Sequence, residues 1–258
     1  MRQAILLVAY GTSNDRAQNT LQNFSKLVKE RFSLWTIRWA YTSFLLREKM
    51  AEAKQKSDSV LQALKRLSFE KFTHIAVQPL QVIPGKEYND VVELVDSIND
   101  SFISCSLGKP LLSSDDDIAK TASAVIEHLP VERDKDEHVI LMGHGAKHKA
   151  VSKYKDLADE VYKLDNKVHI GSMNGAVLLE DILPVLDSKK VWLMPLLSTI
   201  GRHVLYDMAG EHENSWKYKI EAAGHICEPI LKGTAEYPVF IKLWLDHLEQ
   251  AINQMKRN

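Results

Sequence analysis

Two histidines have a sequence setting that suits metal binding. His144 lies between Gly143 and Gly145, directly after a short apolar run, and His203 follows Gly201 in a loop. Glycines permit a tight turn and leave a neighbouring ring unobstructed. Neutral imidazole is a common ligand for Co, Ni, Fe and Zn. The pattern predicts that the two rings converge on one divalent metal ion.

Other patterns that carry chemistry are missing from the sequence. It contains no Cys-x-x-Cys, His-Glu-x-x-His or EF-hand motif, no Gly-x-Ser-x-Gly elbow and no P-loop. His148 is expected to face solvent at the start of a helix, and His212 to lie on the surface. Cys105 and Cys227 are too few for a disulfide framework, which favours a reducing compartment.

Short apolar runs alternate with longer segments of helical period, which predicts βα units and mostly parallel sheets. Apolar stripes of helical spacing cover residues 20–32 and 237–255. The predicted strands form two sets of four, at residues 4–9, 34–41, 74–80, 102–107, 138–142, 168–173, 190–196 and 226–229.

The two halves of the chain look like copies of each other. In both, the third predicted strand reaches a proline that is followed by a glycine six residues later. This repeat predicts an α/β protein of two similar domains, each a four-stranded sheet flanked by helices, at residues 1–130 and 131–258. The boundary is placed at the charged segment 130–137.

Superposing the halves sets Tyr10 opposite His144 and Glu87 opposite His203. Each of these residues follows the carboxyl end of a predicted strand, the edge at which α/β sheets bind ligands. The repeat therefore predicts a cleft between the domains. One wall would present imidazoles, and the other a phenol and a carboxylate.

Composition excludes several classes of protein. Hydrophobic residues make up 45% of the chain, and 33 basic against 34 acidic residues leave a formal net charge of −1. The hydrophobic content excludes an intrinsically disordered chain. The near-zero net charge excludes a protein whose overall electrostatic field attracts polyanions. The first apolar run is too short for a secretory signal, and no run is long enough to span a membrane. We expect a cytoplasmic protein without nucleic-acid or membrane partners, and a homo-oligomer is left open.

The chain resembles the class II tetrapyrrole metal chelatases, and within them the anaerobic sirohydrochlorin cobaltochelatases of the CbiK type. The resemblance extends over essentially the full length. It is carried by residues 11–13, 83–88, 110–114, 142–146, 193–196, 203, 207–209, 215–217 and 222–224.

This resemblance implies that His144 and His203 bind the incoming metal. The activity it implies is insertion of Co²⁺ into sirohydrochlorin with loss of two protons, without an organic cofactor. His144, Glu87 and His203 are the expected catalytic residues, and Glu87 or an imidazole would take the protons. Tyr10, Arg202 and Asn174 are the expected substrate contacts. Arg38, Lys86 and Lys147 are further candidates for holding the substrate carboxylates.

One position departs from the family pattern. A glutamate that completes the family's metal site aligns with Asn174, which can ligate a metal but brings no charge. Glu87, or less favourably Glu180, would then supply the carboxylate. Two alternatives stay open: a chelatase for Ni²⁺ or Fe²⁺, and a tetrapyrrole or metal carrier without turnover.

Overall fold

A computed structural model describes residues 2–145, 150, 152–175 and 177–255 of the chain. These residues form two compact units, one of Met1–Leu111 with Ile241–Asn258 and the other of Leu112–Phe240. The sequence-based boundary after residue 130 falls inside the second unit. The final helix rejoins the first unit, whereas a division into consecutive halves assigns it to the second.

The first unit is built on one parallel sheet. Its strands are β1 (Gln3–Ala9), β2 (Thr36–Tyr41), β3 (His74–Pro79) and β4 (Ser104–Leu107), in the order β2-β1-β3-β4. All three pairings are parallel. Six of the seven residues of β1 are buried, as a strand covered by helices on both faces requires.

Five α-helices lie among the described residues of this unit. They are α1 (Asp15–Arg31), α2 (Phe44–Glu52), α3 (Val60–Phe69), α4 (Lys86–Ile98) and, from Ile241 onward, α9 (Pro238–Met255). The Asn14 side chain caps α1 by accepting a hydrogen bond from the Ala17 amide. On the buried face of α1, the Phe24 ring meets Trp244 edge to face at a centroid distance of 6.2 Å, which fixes the last helix against the first.

The second unit repeats the arrangement. Its strands are β5 (His138–Gly143), β6 (Val168–Ser172), β7 (Lys190–Leu196) and β8 (Ile226–Pro229), in the order β6-β5-β7-β8, again all parallel. Its helices are α5 (Asp115–Glu127), α6 (Ser152–Leu164), α7 (Leu179–Ile182) and α8 (Trp216–Ala222). The predicted fold of two similar, four-stranded parallel units is confirmed. The cleft between them stays a prediction.

The charged segment 130–137 is anchored within the second unit. The Arg133 side chain is 7% exposed and forms an ion pair with Asp165 at 2.7 Å. It also donates a hydrogen bond to the Glu137 carbonyl at 2.8 Å. Burial of a paired charge of this kind holds the segment in one conformation. High charge density in the sequence therefore marks a largely exposed turn that the Arg133 side chain ties to the second unit.

Both cysteines are free thiols. Burial raises the pKa of Cys105 and of Cys227 to about 12, so neither is a reactive thiolate near neutral pH. Across the described residues, no helix has the length and apolar character needed to cross a membrane.

Candidate metal centre

The loop that carries His144 is shaped by its two glycines. Gly145 has φ of +80°, and a Cβ there would lie 1.6 Å from the Asn174 carbonyl oxygen. A Cβ on Gly143 would lie 2.4 Å from the Tyr154 ring. Only glycine fits at either position, because a side chain would collide with atoms that cannot move away. The Gly-His-Gly pattern is thus a packing requirement that brings the chain close on both sides of the histidine.

Tyr154 of α6 packs against this loop. Its side chain is fully buried, and its hydroxyl is hydrogen-bonded to the backbone of His144 and Gly145. Burial raises the pKa of Tyr154 to about 12, so the phenol stays neutral. A neutral, rigid ring with one polar end fixes the loop backbone without adding charge beside the histidine.

His203 begins a π-helical turn, His203–Met208, that follows β7. The Asp207 carboxylate accepts a hydrogen bond from His203 Nδ1 at 2.7 Å. A carboxylate on one ring nitrogen fixes the tautomer and leaves the other nitrogen with its lone pair. His203 therefore has the lone pair of Nε2 free.

The two histidine rings lie together. Their centroids are 4.9 Å apart and the ring planes are inclined at 80°. His144 Nδ1 donates to the Gly145 carbonyl at 3.3 Å, so the free lone pair of this ring is also on Nε2. Metal–imidazole bonds are about 2.0–2.1 Å long, and rings at this spacing can each place one nitrogen on a shared ion. The structure thus brings together the pair that the sequence pattern predicted.

The surroundings favour the neutral form of His144. The pKa of His144 is below its ordinary value, chiefly because burial of the ring removes water and further because His203 is close. Neutral imidazole is the form that binds a metal ion. In the described ranges, no cluster of three or more His, Cys, Asp or Glu side chains has the geometry to hold an ion.

The other residues that the sequence predicted for this site lie in different surroundings. Asn174 is exposed, and its backbone lies against Gly145 beside the His144 loop. Glu180 forms an ion pair with Lys219 at 2.8 Å. The Arg202 guanidinium stacks over the Tyr206 ring at 5.3 Å. Lys147 and His148 lie outside the described residues. The His212 ring stacks on the Tyr206 ring, with centroids 4.0 Å apart.

Tyr10 and Glu87, the predicted counterparts from the first half, line one cavity of about 260 Å³ within the first unit. Tyr10 is 48% exposed, and Glu87 lies in the first turn of α4. Two basic candidates form ion pairs within the first unit. Arg38 lies inside β2 and pairs with Glu70 at 3.6 Å, and Lys86 pairs with Asp90 at 2.7 Å.

Sequence reasoning missed Asp207 and Tyr154. The spacing of Asp207, four residues after His203, is a signal that could have found it, because such residues are neighbours on a helical turn. Tyr154 has no comparable signal, since an apolar stripe contains it like any core residue. The role of Tyr154 depends on the contact of its hydroxyl with the backbone of His144 and Gly145, which forms only in the folded chain.

Two parallel α/β units of equal strand order, with a histidine pair after two strands of the second, define a protein of the chelatase fold class. Two solved structures share this fold over nearly their whole length. SirB from Bacillus subtilis with Fe³⁺ matches with a TM-score of 0.65 and 17% identity, covering 100% of this chain and 98% of that one. The siroheme-biosynthesis enzyme CbiX matches with a TM-score of 0.63 and 12% identity, covering 96% and 99%.

The chain belongs to the cobalt chelatase (CbiK) family, whose model matches residues 3–253. It is 47% identical over 259 residues to the sirohydrochlorin cobaltochelatase CbiKC of Nitratidesulfovibrio vulgaris, covering 98% of this chain and 92% of the relative. It is 30% identical over 258 residues to the sirohydrochlorin cobaltochelatase of Salmonella typhimurium, covering 98% and 97%.

Proposed function

We propose that this protein is a sirohydrochlorin cobaltochelatase, an enzyme that inserts Co²⁺ into the tetrapyrrole and releases two protons. Membership of the CbiK family and the names of two full-length relatives support this function. The observation that carries it is the His144–His203 pair, with centroids 4.9 Å apart and both Nδ1 atoms engaged.

The histidine pair holds the metal that is to be inserted. Each ring offers Nε2 to Co²⁺, and imidazole suits divalent ions of this kind. Both ligands are neutral, so the ion keeps its full charge and its bonds can be exchanged for those of the pyrrole nitrogens. The Asn174 amide, next to Gly145, is a further oxygen donor at this site.

Insertion must also remove two pyrrole N–H protons, and their loss balances the charge of the entering ion. Glu87 is the proposed base, and the histidines can take a proton once the metal has left them. Tyr10 and Arg202 contact the substrate, with Arg202 facing a carboxylate of the macrocycle. The metal is a substrate in this scheme, the tetrapyrrole is the partner, and no organic cofactor takes part.

The experiment is anaerobic incubation of the purified protein with sirohydrochlorin and Co²⁺, followed by absorbance and compared with the spontaneous rate. We expect acceleration with Co²⁺ above that with Ni²⁺ or Fe²⁺. A preference for Ni²⁺ or Fe²⁺ would overturn the assignment of the metal. Tight tetrapyrrole binding without acceleration for any metal would identify a carrier and overturn the enzymatic function.

Two variants test the residues. His144→Ala and His203→Ala should each reduce turnover at least about 100-fold, as expected for loss of a direct ligand. His74→Gln is the matched control. It removes an imidazole at the start of β3, where Nδ1 lies 3.0 Å from the Thr73 hydroxyl. Full activity in either alanine variant would refute the site.

A further inference from the structure

Two residues on the wall of the first unit's cavity carry buried polar atoms that lack partners among the described residues. The cavity lies at the carboxyl ends of β1 and β2, and its lining includes Tyr10, Thr42, Arg47 and Glu87. Thr42 Oγ1 and Arg47 Nε are both buried, and neither has a hydrogen-bond partner among the described residues. Buried polar atoms are normally paired, so two residues with such atoms on the wall of one cavity point to a ligand. Both atoms are closed to solvent, so they reach that ligand only when the two side chains turn toward it.

The chemistry of these atoms determines what the ligand must be. Arginine has only donors, and a threonine hydroxyl can donate as well. The partner must therefore accept hydrogen bonds, and a negative charge on it would match the guanidinium. The carboxylate of Asp90 lines the same cavity but is already paired with Lys86 at 2.7 Å.

The size of the cavity restricts the ligand further. A volume of about 260 Å³ is below the range of about 300–1,000 Å³ typical of pockets that enclose a whole small ligand. The cavity therefore suits one side group of a larger molecule. A carboxylate-bearing side chain is the group that satisfies both donors.

The surface beside the cavity suits the rest of such a molecule. Phe44 and Leu45, in the first turn of α2, are 60% and 69% exposed. The Arg47 guanidinium lies 5.6 Å from the Phe44 ring. Exposed apolar side chains next to an unpaired cation match a flat apolar ring with carboxylates at its rim.

We propose that Arg47 and Thr42 form a subsite that binds one carboxylate of the tetrapyrrole substrate. This inference rests on the proposed function, since it takes sirohydrochlorin as the ligand. Arg47 is a positioning residue: it holds the macrocycle by its rim and does not touch the reacting nitrogens. Its loss should weaken tetrapyrrole binding and leave the chemistry of the bound complex in place.

The test measures sirohydrochlorin binding without metal, by absorbance or quenching of tryptophan fluorescence, and steady-state insertion of Co²⁺. In Arg47→Gln we expect the Kd and KM for sirohydrochlorin to rise about 10- to 100-fold. The kcat and the KM for Co²⁺ should stay within about twofold. Arg47→Lys should recover part of the affinity, because it restores the charge but not the fork geometry.

Two further variants keep the test sharp. Thr42→Val preserves shape and removes the hydroxyl, and it should raise Kd about 2- to 10-fold. Lys49→Gln is the matched control, since it removes one exposed positive charge from the same helix and should leave Kd unchanged. Thermal melting of each variant identifies any that fail to fold, and Thr42→Val then provides the independent measurement.

An unchanged Kd in folded Arg47→Gln would overturn the subsite, as would an equal loss in Lys49→Gln. These results differ from failure of the proposed function. If the wild-type protein did not bind sirohydrochlorin, the subsite and the proposed function would both be refuted. If His144→Ala bound sirohydrochlorin normally but did not insert Co²⁺, the function would stand, and Arg47→Gln alone would decide the subsite.

Discussion

Replacing Asp207 by asparagine tests how the His203 ring is prepared for metal binding. The carboxylate fixes a proton on Nδ1 and leaves Nε2 free, through a hydrogen bond of 2.7 Å. An amide oxygen can still accept this bond but carries no charge. If the amide nitrogen turns toward the ring, it forces the proton onto Nε2 and blocks the ligand atom.

The size of the effect follows from the exposure of the pair. Loss of a carboxylate behind a metal-binding histidine reduces metal affinity by about 10- to 100-fold. The His203 and Asp207 side chains are 42% and 35% exposed, and solvent screening weakens a charged hydrogen bond at such a place. We therefore expect about a 10-fold loss, equivalent to about 1.4 kcal/mol of binding free energy.

The assay is an anaerobic Co²⁺ titration against a competing chelator, together with the KM values for Co²⁺ and for sirohydrochlorin. Only the Co²⁺ constants should change. Glu211→Gln is the control, because it removes an equal charge four residues after Asp207. The Glu211 carboxylate is 82% exposed and pairs with Lys217. Equal Co²⁺ affinity in Asp207→Asn and the wild-type protein, or an equal loss in Glu211→Gln, would refute the reasoning.

Two further predictions concern stability. Tyr154→Phe keeps the ring but removes the hydroxyl bonded to the His144 backbone. It should lower the free energy of unfolding, measured in urea, by about 1–3 kcal/mol. The control is Tyr162→Phe, which changes an exposed tyrosine on the same helix and should alter the free energy of unfolding little; equal effects in the two variants would contradict the role of Tyr154 in holding the loop. Burial and the nearby His138 lower the pKa of His169 to about 4, so between pH 6.5 and 4 the unfolded chain binds a proton that the folded chain does not. Stability should fall over this range as the pH decreases, by on the order of 3 kcal/mol. His169→Gln should flatten this dependence, and an unaltered slope in urea unfolding across that pH range would show that another group is responsible.

Much of the fold is legible in the sequence because buried parallel strands are continuous apolar runs. All eight predicted strands are present, and their bounds differ by a few residues at most. At β2, exposure explains the difference: Leu34 is 88% exposed, and the strand begins only at Thr36. An apolar side chain in solvent next to a strand cannot be distinguished by periodicity from one inside it.

The histidine pair was predictable because parallel strands of one sheet present their carboxyl ends at the same edge. The contacts that tune the site were less accessible. Arg47 lies in α2, a helix in which Met50 alone is buried, and the lack of a hydrogen-bond partner for Arg47 Nε among the described residues is a property of the folded surroundings. The return of α9 to the first unit also depends on tertiary packing, here of Trp244 on Phe24, which no local pattern encodes.

The contact between Gly145 and Asn174 gives the main chain of residue 174 a role that is separate from the role of its side chain. The main chain of Asn174 closes against the histidine loop, with its carbonyl oxygen where a Cβ of Gly145 would lie. Every amino acid has that carbonyl, so exchange of the side chain at 174 leaves the loop geometry intact. In the proposed metal site, a single substitution at 174 would therefore change the donors offered to the ion while the backbone that holds the His144 ring keeps its shape.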